Sequence, residues 1–218
     1  MRFARLNRLA AFAAVLGAVE CGGGGGGGGT QPPGPPTDLV KSGGDAQSWY
    51  FNNPLPTFLS VTAKDAGGRA VPGVVVTWAV TSSTGTGAVN PLQSTTNASG
   101  VATTTDSVGS STIQTVSATF SGLAGPVTFT ENATTPPTSA AVSVKDNFFD
   151  PAQTVVQVNG TVTWTWAGQI GHSVTFTGGA DSGVMPSGTF QQTLPTVGSK
   201  SYFCKVHGGM TGSVTVVH

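Results

Sequence analysis

The sequence predicts an all-β protein built as two β-sandwiches in tandem. Three observations point that way. Thr, Ser, Val and Gly dominate the 218 residues, while Leu, Glu and Lys, all good helix formers, are scarce. Alternating, β-branched runs recur between turn signals at the 8–12-residue spacing of sandwich strands. Two Pro-rich stretches, QPPGPP and TTPPTSA, divide the chain into segments of domain size.

The chain opens with MRFARLNRLAAFAAVLGAVEC, residues 1–21. Arg2, Arg5 and Arg8 make a basic n-region, and Leu9 to Val19 is an apolar stretch of eleven residues. That length is too short to span a bilayer and suits an export signal. Residues 22–36 form a tether, a Gly run and then Pro-rich sequence, flexible first and stiffer after. A Cys directly after the apolar region, Cys21, resembles the lipobox of bacterial lipoproteins, whose mature N-terminal Cys carries lipid. Those boxes prefer Leu three residues before the Cys and a small residue just before it, where this chain has Ala18 and Glu20. The resemblance implies a lipid anchor at Cys21; ordinary cleavage nearby would release a soluble protein instead. Either route places the protein in the cell envelope of a bacterium, in the periplasm or membrane-anchored.

Residues 37–132 hold strand-like runs cut by turns. TFLSVTAKD and GVVVTWAV flank AGGRAVP, whose Gly67-Gly68 and Pro72 mark a loop; NASGVATTTD, QTVSATFSG and GPVTFTEN continue the pattern. Gly68 to Trp78 and Thr96 to Ala102 resemble the "G-x-x-V-x-G-x-x-V-x-W" run and "T-[DN]-x-x-G-x-A" turn of bacterial Ig-like domains of the invasin/intimin type. The resemblance implies a spacer or adhesive module. The segment has no His, no Cys and no clustered carboxylates in sequence, so it is expected to carry no chemistry; Trp78 reads as core.

A linker, 133–139, leads to residues 140–218. Here Val155, Val158, Val162, Trp164 and Trp166 alternate as half-buried strands do, with an Asn159-Gly160 hairpin turn between them. His172 follows the WAGQIG loop and opens HSVTF. Near the end stands SYFCKVHGGM, with Cys204, His207 and Met210 in seven positions. If Cys21 is lipidated or removed, Cys204 has no disulfide partner, and an unpaired Cys in an exported protein needs an explanation. Two imidazoles and a thiolate with a weak axial thioether, His172, Cys204, His207 and Met210, make the ligand chemistry of type 1 copper.

Residues 140–218 resemble a small cupredoxin of the plastocyanin/azurin/amicyanin group. FFDPAQTVVQVNGTVTWTWAGQIGHSVTF matches the first half of that fold, and GTFQQTLPTVGSKSYFCKVHGGMTGSVTVV the second. The ligands stand in family order, and Cys-x2-His-x2-Met has the short amicyanin-like spacing. The resemblance implies a Greek-key sandwich holding one copper ion, bound by His172 and His207 through ring nitrogens, by Cys204 as thiolate and by Met210 axially. It implies electron transfer with a redox partner protein, a cytochrome or another electron carrier, through an apolar patch around His207 that Val206, Gly208 and Gly209 would form. Beside the first His the family often has Asn; this chain has Ser173, which leaves hydrogen bonding to the thiolate open. Met185, a rival thioether, reads as a packing residue.

Composition and motifs exclude other classes. Nine basic and nine acidic residues give zero formal charge, without the basic face that nucleic-acid binding needs. Zinc favours Cys, His and carboxylate over Met. A c-type haem needs Cys-x-x-Cys-His, which is absent. With His172, His207 and His218 the only histidines, there is no trinuclear copper cluster and no nucleophile–base pair, so the chain is not expected to be an enzyme. The alternative is envelope copper storage or delivery, or an adhesive scaffold with a passenger copper domain.

Overall fold

A computed structural model describes residues 31–81 and 87–218. The export segment, Cys21 and the Gly run lie outside the described residues. Pro33–His218 forms one compact unit, and its described residues are all strand and loop. Among the described residues no helix is long and apolar enough to cross a membrane.

The first nine strands are β1 (Pro36–Gly43), β2 (Ser48–Tyr50), β3 (Leu59–Asp65), β4 (Val75–Val80), β5 (Ala88–Asn90), β6 (Gln93–Thr95), β7 (Val101–Ser107), β8 (Ile113–Thr119) and β9 (Val127–Thr134). They form a four-stranded sheet, β1-β3-β7-β5, and a five-stranded sheet, β2-β9-β8-β4-β6. The period-two pattern decides which side chains meet. Leu59, Val61 and Ala63 of β3 and Val76 and Trp78 of β4 are buried in one cluster with Val116, Ala118 and Phe129. Trp78 is core, as its sequence predicts; its ring lies 5.9 Å from Phe129 and its Nε1–H donates to Ser94 Oγ at 2.9 Å.

The fold brings together carboxylates that the sequence keeps apart. Register pairs Gln114 of β8 with Glu131 of β9, so both project from one face of their sheet. From the other sheet, Asp106 of β7 meets Gln114, whose Nε2 donates to Asp106 Oδ1 at 2.6 Å. The Gln47 backbone N–H donates to Glu131 Oε2 at 2.7 Å. Asp106, Gln114 and Glu131 are all buried, and Asp106 Oδ2 and Glu131 Oε1 lack a hydrogen-bond partner. Burial pushes Glu131 up to about 7, against the Gln47 hydrogen bond and with help from the Asp106 charge. Burial also pushes Asp106 up to about 6, partly offset by Gln114.

The remaining strands are β10 (Ser139–Lys145), β11 (Phe148–Asp150), β12 (Gln153–Gln157), β13 (Gly160–Trp166), β14 (Thr175–Phe176), β15 (Thr189–Leu194), β16 (Gly198–Phe203) and β17 (Thr211–Val217). They form two four-stranded sheets, β11-β10-β13-β15 and β12-β17-β16-β14. Their shared core is aromatic. Trp164 is buried with its ring edge-on to Phe176 and Tyr202, at 5.6 and 5.2 Å, and Phe149 meets Tyr202 at 4.8 Å. Such pairs add about 0.5–1.5 kcal/mol each beyond area burial. Since Tyr202 is two residues from Cys204, this core fixes the strand that carries the thiol.

Three local expectations change. Asn159-Gly160 is not a hairpin turn. β12 pairs parallel with β17 and β13 parallel with β10, so the pair carries the chain from one sheet to the other, with Asn159 left-handed at φ 64°. Val156, not Val155, faces the core, because the β12–β17 register sets Val156 opposite buried Val216. Finally, His172 does not open a strand; only Thr175–Phe176 is strand, and His172 makes an isolated bridge to Met185.

Candidate metal centre

His172 is held before its ring is considered. Its backbone N–H donates to the Met185 carbonyl at 3.0 Å, and its carbonyl accepts from Met185 N–H at 2.9 Å and from Trp166 Nε1–H at 3.1 Å. The residue is fully buried. The ring's Nε2 meets Asp146 Oδ1 at 3.3 Å, which leaves Nδ1 facing Cys204 Sγ at 3.8 Å.

Cys204 follows directly on β16. The loop after it folds back on itself: Cys204 N–H donates to the Met210 carbonyl at 3.0 Å and Met210 N–H to the His207 carbonyl at 3.3 Å. Gly209 has φ 84°, a conformation that costs a glycine little and other residues more. This return sets His207 Nδ1 3.4 Å from Cys204 Sγ and the two imidazole rings 4.5 Å apart.

His172, Cys204 and His207 therefore offer three donor atoms, all within 4.8 Å of one another. The distances suit a shared ion. A sulfur about 2.3 Å and a nitrogen about 2.0 Å from one metal stand roughly 3.5–3.7 Å apart at tetrahedral to trigonal angles. The observed 3.4 and 3.8 Å lie on either side. The thiol is prepared as well. Burial raises its pKa, but hydrogen bonds from Ser173 and Val206 N–H, together with the two imidazoles at its side, outweigh burial and bring Cys204 down to about 6.

Ser173 ties the two ligand loops together. Its N–H reaches Cys204 Sγ at 3.4 Å, and its Oγ accepts Lys205 N–H at 2.9 Å. The Thr175 hydroxyl donates to Asp181 Oδ1 at 3.0 Å, so the Ser173 hydroxyl donates to Thr175 Oγ1 at 3.1 Å. The Lys205 ammonium closes the ring on Asp181. The Lys205 hydrogen bond and the Gly183 N–H hold Asp181 below the usual carboxylate range, against burial.

Met210 is buried in the same hydrophobic cluster as Cys204. Met185 is partly buried against that cluster, and its backbone brackets His172. Val206, Ile170 and Val184, neighbours in sequence of His207, His172 and Met185, expose 51%, 44% and 54% of their surface. Gly208 and Gly209 are exposed beside them.

Sequence reasoning missed Asp146, Thr175 and Asp181. Asp146 sits in the turn between β10 and β11, 26 positions before His172, and nothing in the local pattern marks it. Gln169 N–H donates to it at 2.8 Å and Ile170 N–H at 3.2 Å. The Ile170 bond outweighs burial and, with the His172 and Gln169 bonds, holds Asp146 below the usual carboxylate range.

No family model matches the sequence, and no curated protein matches it. Solved structures do. A novel purple cupredoxin from Nitrosopumilus maritimus is 22% identical, over 35% of this chain and 98% of that one, with a TM-score of 0.34. A reduced amicyanin variant is 26% identical, over 36% of this chain and 81% of that one, with a TM-score of 0.34. An oxidised amicyanin variant is 24% identical over the same shares, again with a TM-score of 0.34.

Proposed function

We propose that this protein is an exported electron carrier that holds one copper ion at His172, Cys204 and His207, with Met210 as axial ligand. The observation that carries the reading is the meeting of two imidazole Nδ1 atoms and one thiol sulfur within 4.8 Å, in a chain whose Cys-x2-His-x2-Met loop adds a buried thioether. Two imidazoles, a thiolate and a weak thioether select copper over zinc, for which Met is a poor ligand. Bound there, copper supplies a one-electron Cu(I)/Cu(II) couple.

The residues around the site do the rest. His172 and Cys204 are buried in a rigid aromatic core, which keeps water from the thiolate and fixes two donor atoms whatever the oxidation state. Ser173 N–H and the Lys205–Ser173 bond hold the sulfur in place. Half-buried His207, among exposed Val206, Gly208 and Gly209, gives a partner protein a close apolar approach to one ligand. That partner is a cytochrome or another redox protein. With His172, Cys204 and His207 all committed to the ion, the reading makes the protein a carrier and not an enzyme.

In the same reading the chain is organised as export segment 1–21, tether 22–36, Ig-like spacer 37–132, linker 133–139 and copper domain 140–218. Cys21 carries a lipid that anchors it in the bacterial envelope.

Anaerobic titration of the reduced protein with Cu(II), beside Cys204→Ser, tests the proposal. Intense blue or purple absorption is expected, saturating at one copper per chain and absent from the variant. A colourless wild type refutes it. A Met210→Leu variant that keeps colour but shifts its potential upward supports the axial assignment; an unchanged potential refutes that part.

A further inference from the structure

We propose that Asp146 is a positioning residue of this centre: it holds the His172 proton on Nε2, so that Nδ1 stays free for the metal, and its charge strengthens that nitrogen as a donor. For its second half the inference rests on the copper reading; the first half does not.

The geometry is a relay. The neutral imidazole carries one proton, and two acceptors compete for it. Asp146 Oδ1 lies 3.3 Å from Nε2, and Cys204 Sγ lies 3.8 Å from Nδ1. The nearer acceptor is an anionic oxygen, and charge-assisted bonds to carboxylates are strong. Asp146 therefore accepts the hydrogen bond from Nε2–H and leaves Nδ1 with its lone pair toward the sulfur. Without Asp146 the acceptor left beside the ring is Cys204. The proton would then move to Nδ1, the atom that has to bind the ion.

Asp146 is itself placed for this work. Its Oδ1 accepts Gln169 N–H at 2.8 Å and Ile170 N–H at 3.2 Å, and its Oδ2 shares the Gln169 N–H at 3.1 Å. The segment that carries His172 is thus wrapped around the carboxylate. Gly168 packs so tightly against Asp146 that a β-carbon there would collide with it. The side chain is 39% exposed, so its charge is retained in water.

A carboxylate hydrogen-bonded to a ligand imidazole raises its basicity, and removing such a partner typically costs about 10–100-fold in metal affinity. An anion so placed favours Cu(II) over Cu(I). A tenfold loss confined to Cu(II) raises the potential by about 59 mV.

Two variants separate the roles. Asp146→Asn can keep an oxygen in place of Oδ1 and removes only the charge; Asp146→Ala removes both. In the metal-free protein at mildly alkaline pH, ring-nitrogen NMR should show His172 protonated at Nε2 in wild type and at Nδ1 in Asp146→Ala. With copper, Asp146→Asn should raise the midpoint potential, and Asp146→Ala should lower Cu(II) affinity about 10–100-fold. An Nε2 proton retained in Asp146→Ala, or a potential unmoved in Asp146→Asn, overturns the proposal. A wild type that stays colourless with Cu(II) instead sinks the copper reading, while the metal-free NMR arm still decides what Asp146 does to the ring.

Discussion

Replacing Glu131 by Gln should stabilise the protein at alkaline pH and leave it nearly unchanged at pH 4.5. Glu131 is fully buried, and its Oε1, like Oδ2 of buried Asp106, has no hydrogen-bond partner. Its pKa rises from an ordinary 4.5 to about 7 because burial disfavours the charged form. The sign follows from proton binding. Below pH 4.5 the carboxyl is protonated whether the chain is folded or not, and nothing is lost. Between 4.5 and 7 the unfolded chain releases the proton while the folded chain keeps it, so stability falls as pH rises. Above 7 the full penalty is present. At about 1.36 kcal/mol per pH unit, the difference is about 3 kcal/mol. Asp106 is shifted in the same direction and is coupled to Glu131, so the two penalties do not add. Gln carries no charge to bury. For a unit of this size about 3 kcal/mol moves the melting temperature by on the order of 10 °C. Thermal unfolding of metal-free wild type and Glu131→Gln from pH 4.5 to 8, followed by tryptophan fluorescence, measures it. The curves should nearly coincide at pH 4.5 and separate by that amount at pH 8. Parallel curves would falsify the burial argument.

Two further outcomes concern the metal-free centre. Thiolate absorbance of Cys204 should titrate with a midpoint of about 6. His207→Ala removes one of its donors and should move that midpoint up, while a wild-type midpoint at the ordinary thiol value would contradict the hydrogen bonding described. Ser173→Ala leaves the Lys205 N–H without its acceptor and should cost about 1–3 kcal/mol of stability by chemical denaturation. A cost within about 0.5 kcal/mol would mean that the serine does not join the two loops.

The centre joins a local element to a distant one, and the two were not equally legible. Cys204, His207 and Met210 lie within one loop, so their spacing alone brings them close, and a chain with so few His and Cys leaves His172 as the natural partner. Alternation in the strands gave the all-β class, the buried Trp78, and the core positions Val162, Trp164 and Trp166, because period two is a property of each strand by itself. What depends on which strands become neighbours was not written locally. Asn159-Gly160 has the sequence of a hairpin, yet β12 and β13 pair with other strands. Val155 and Val156 are equally apolar, and only the register with β17 decides which is inside. Asp106 and Glu131 are 25 positions apart and meet because two sheets close over one core. Asp146 reaches the His172 ring only because a turn at one strand end lies against a loop at another. Sequence by itself thus pointed to the kind of ion and to three candidate ligands in one loop. Tertiary structure alone decided which carboxylate faces the first imidazole and which carboxylates are buried together, since those contacts depend on non-local strand pairing.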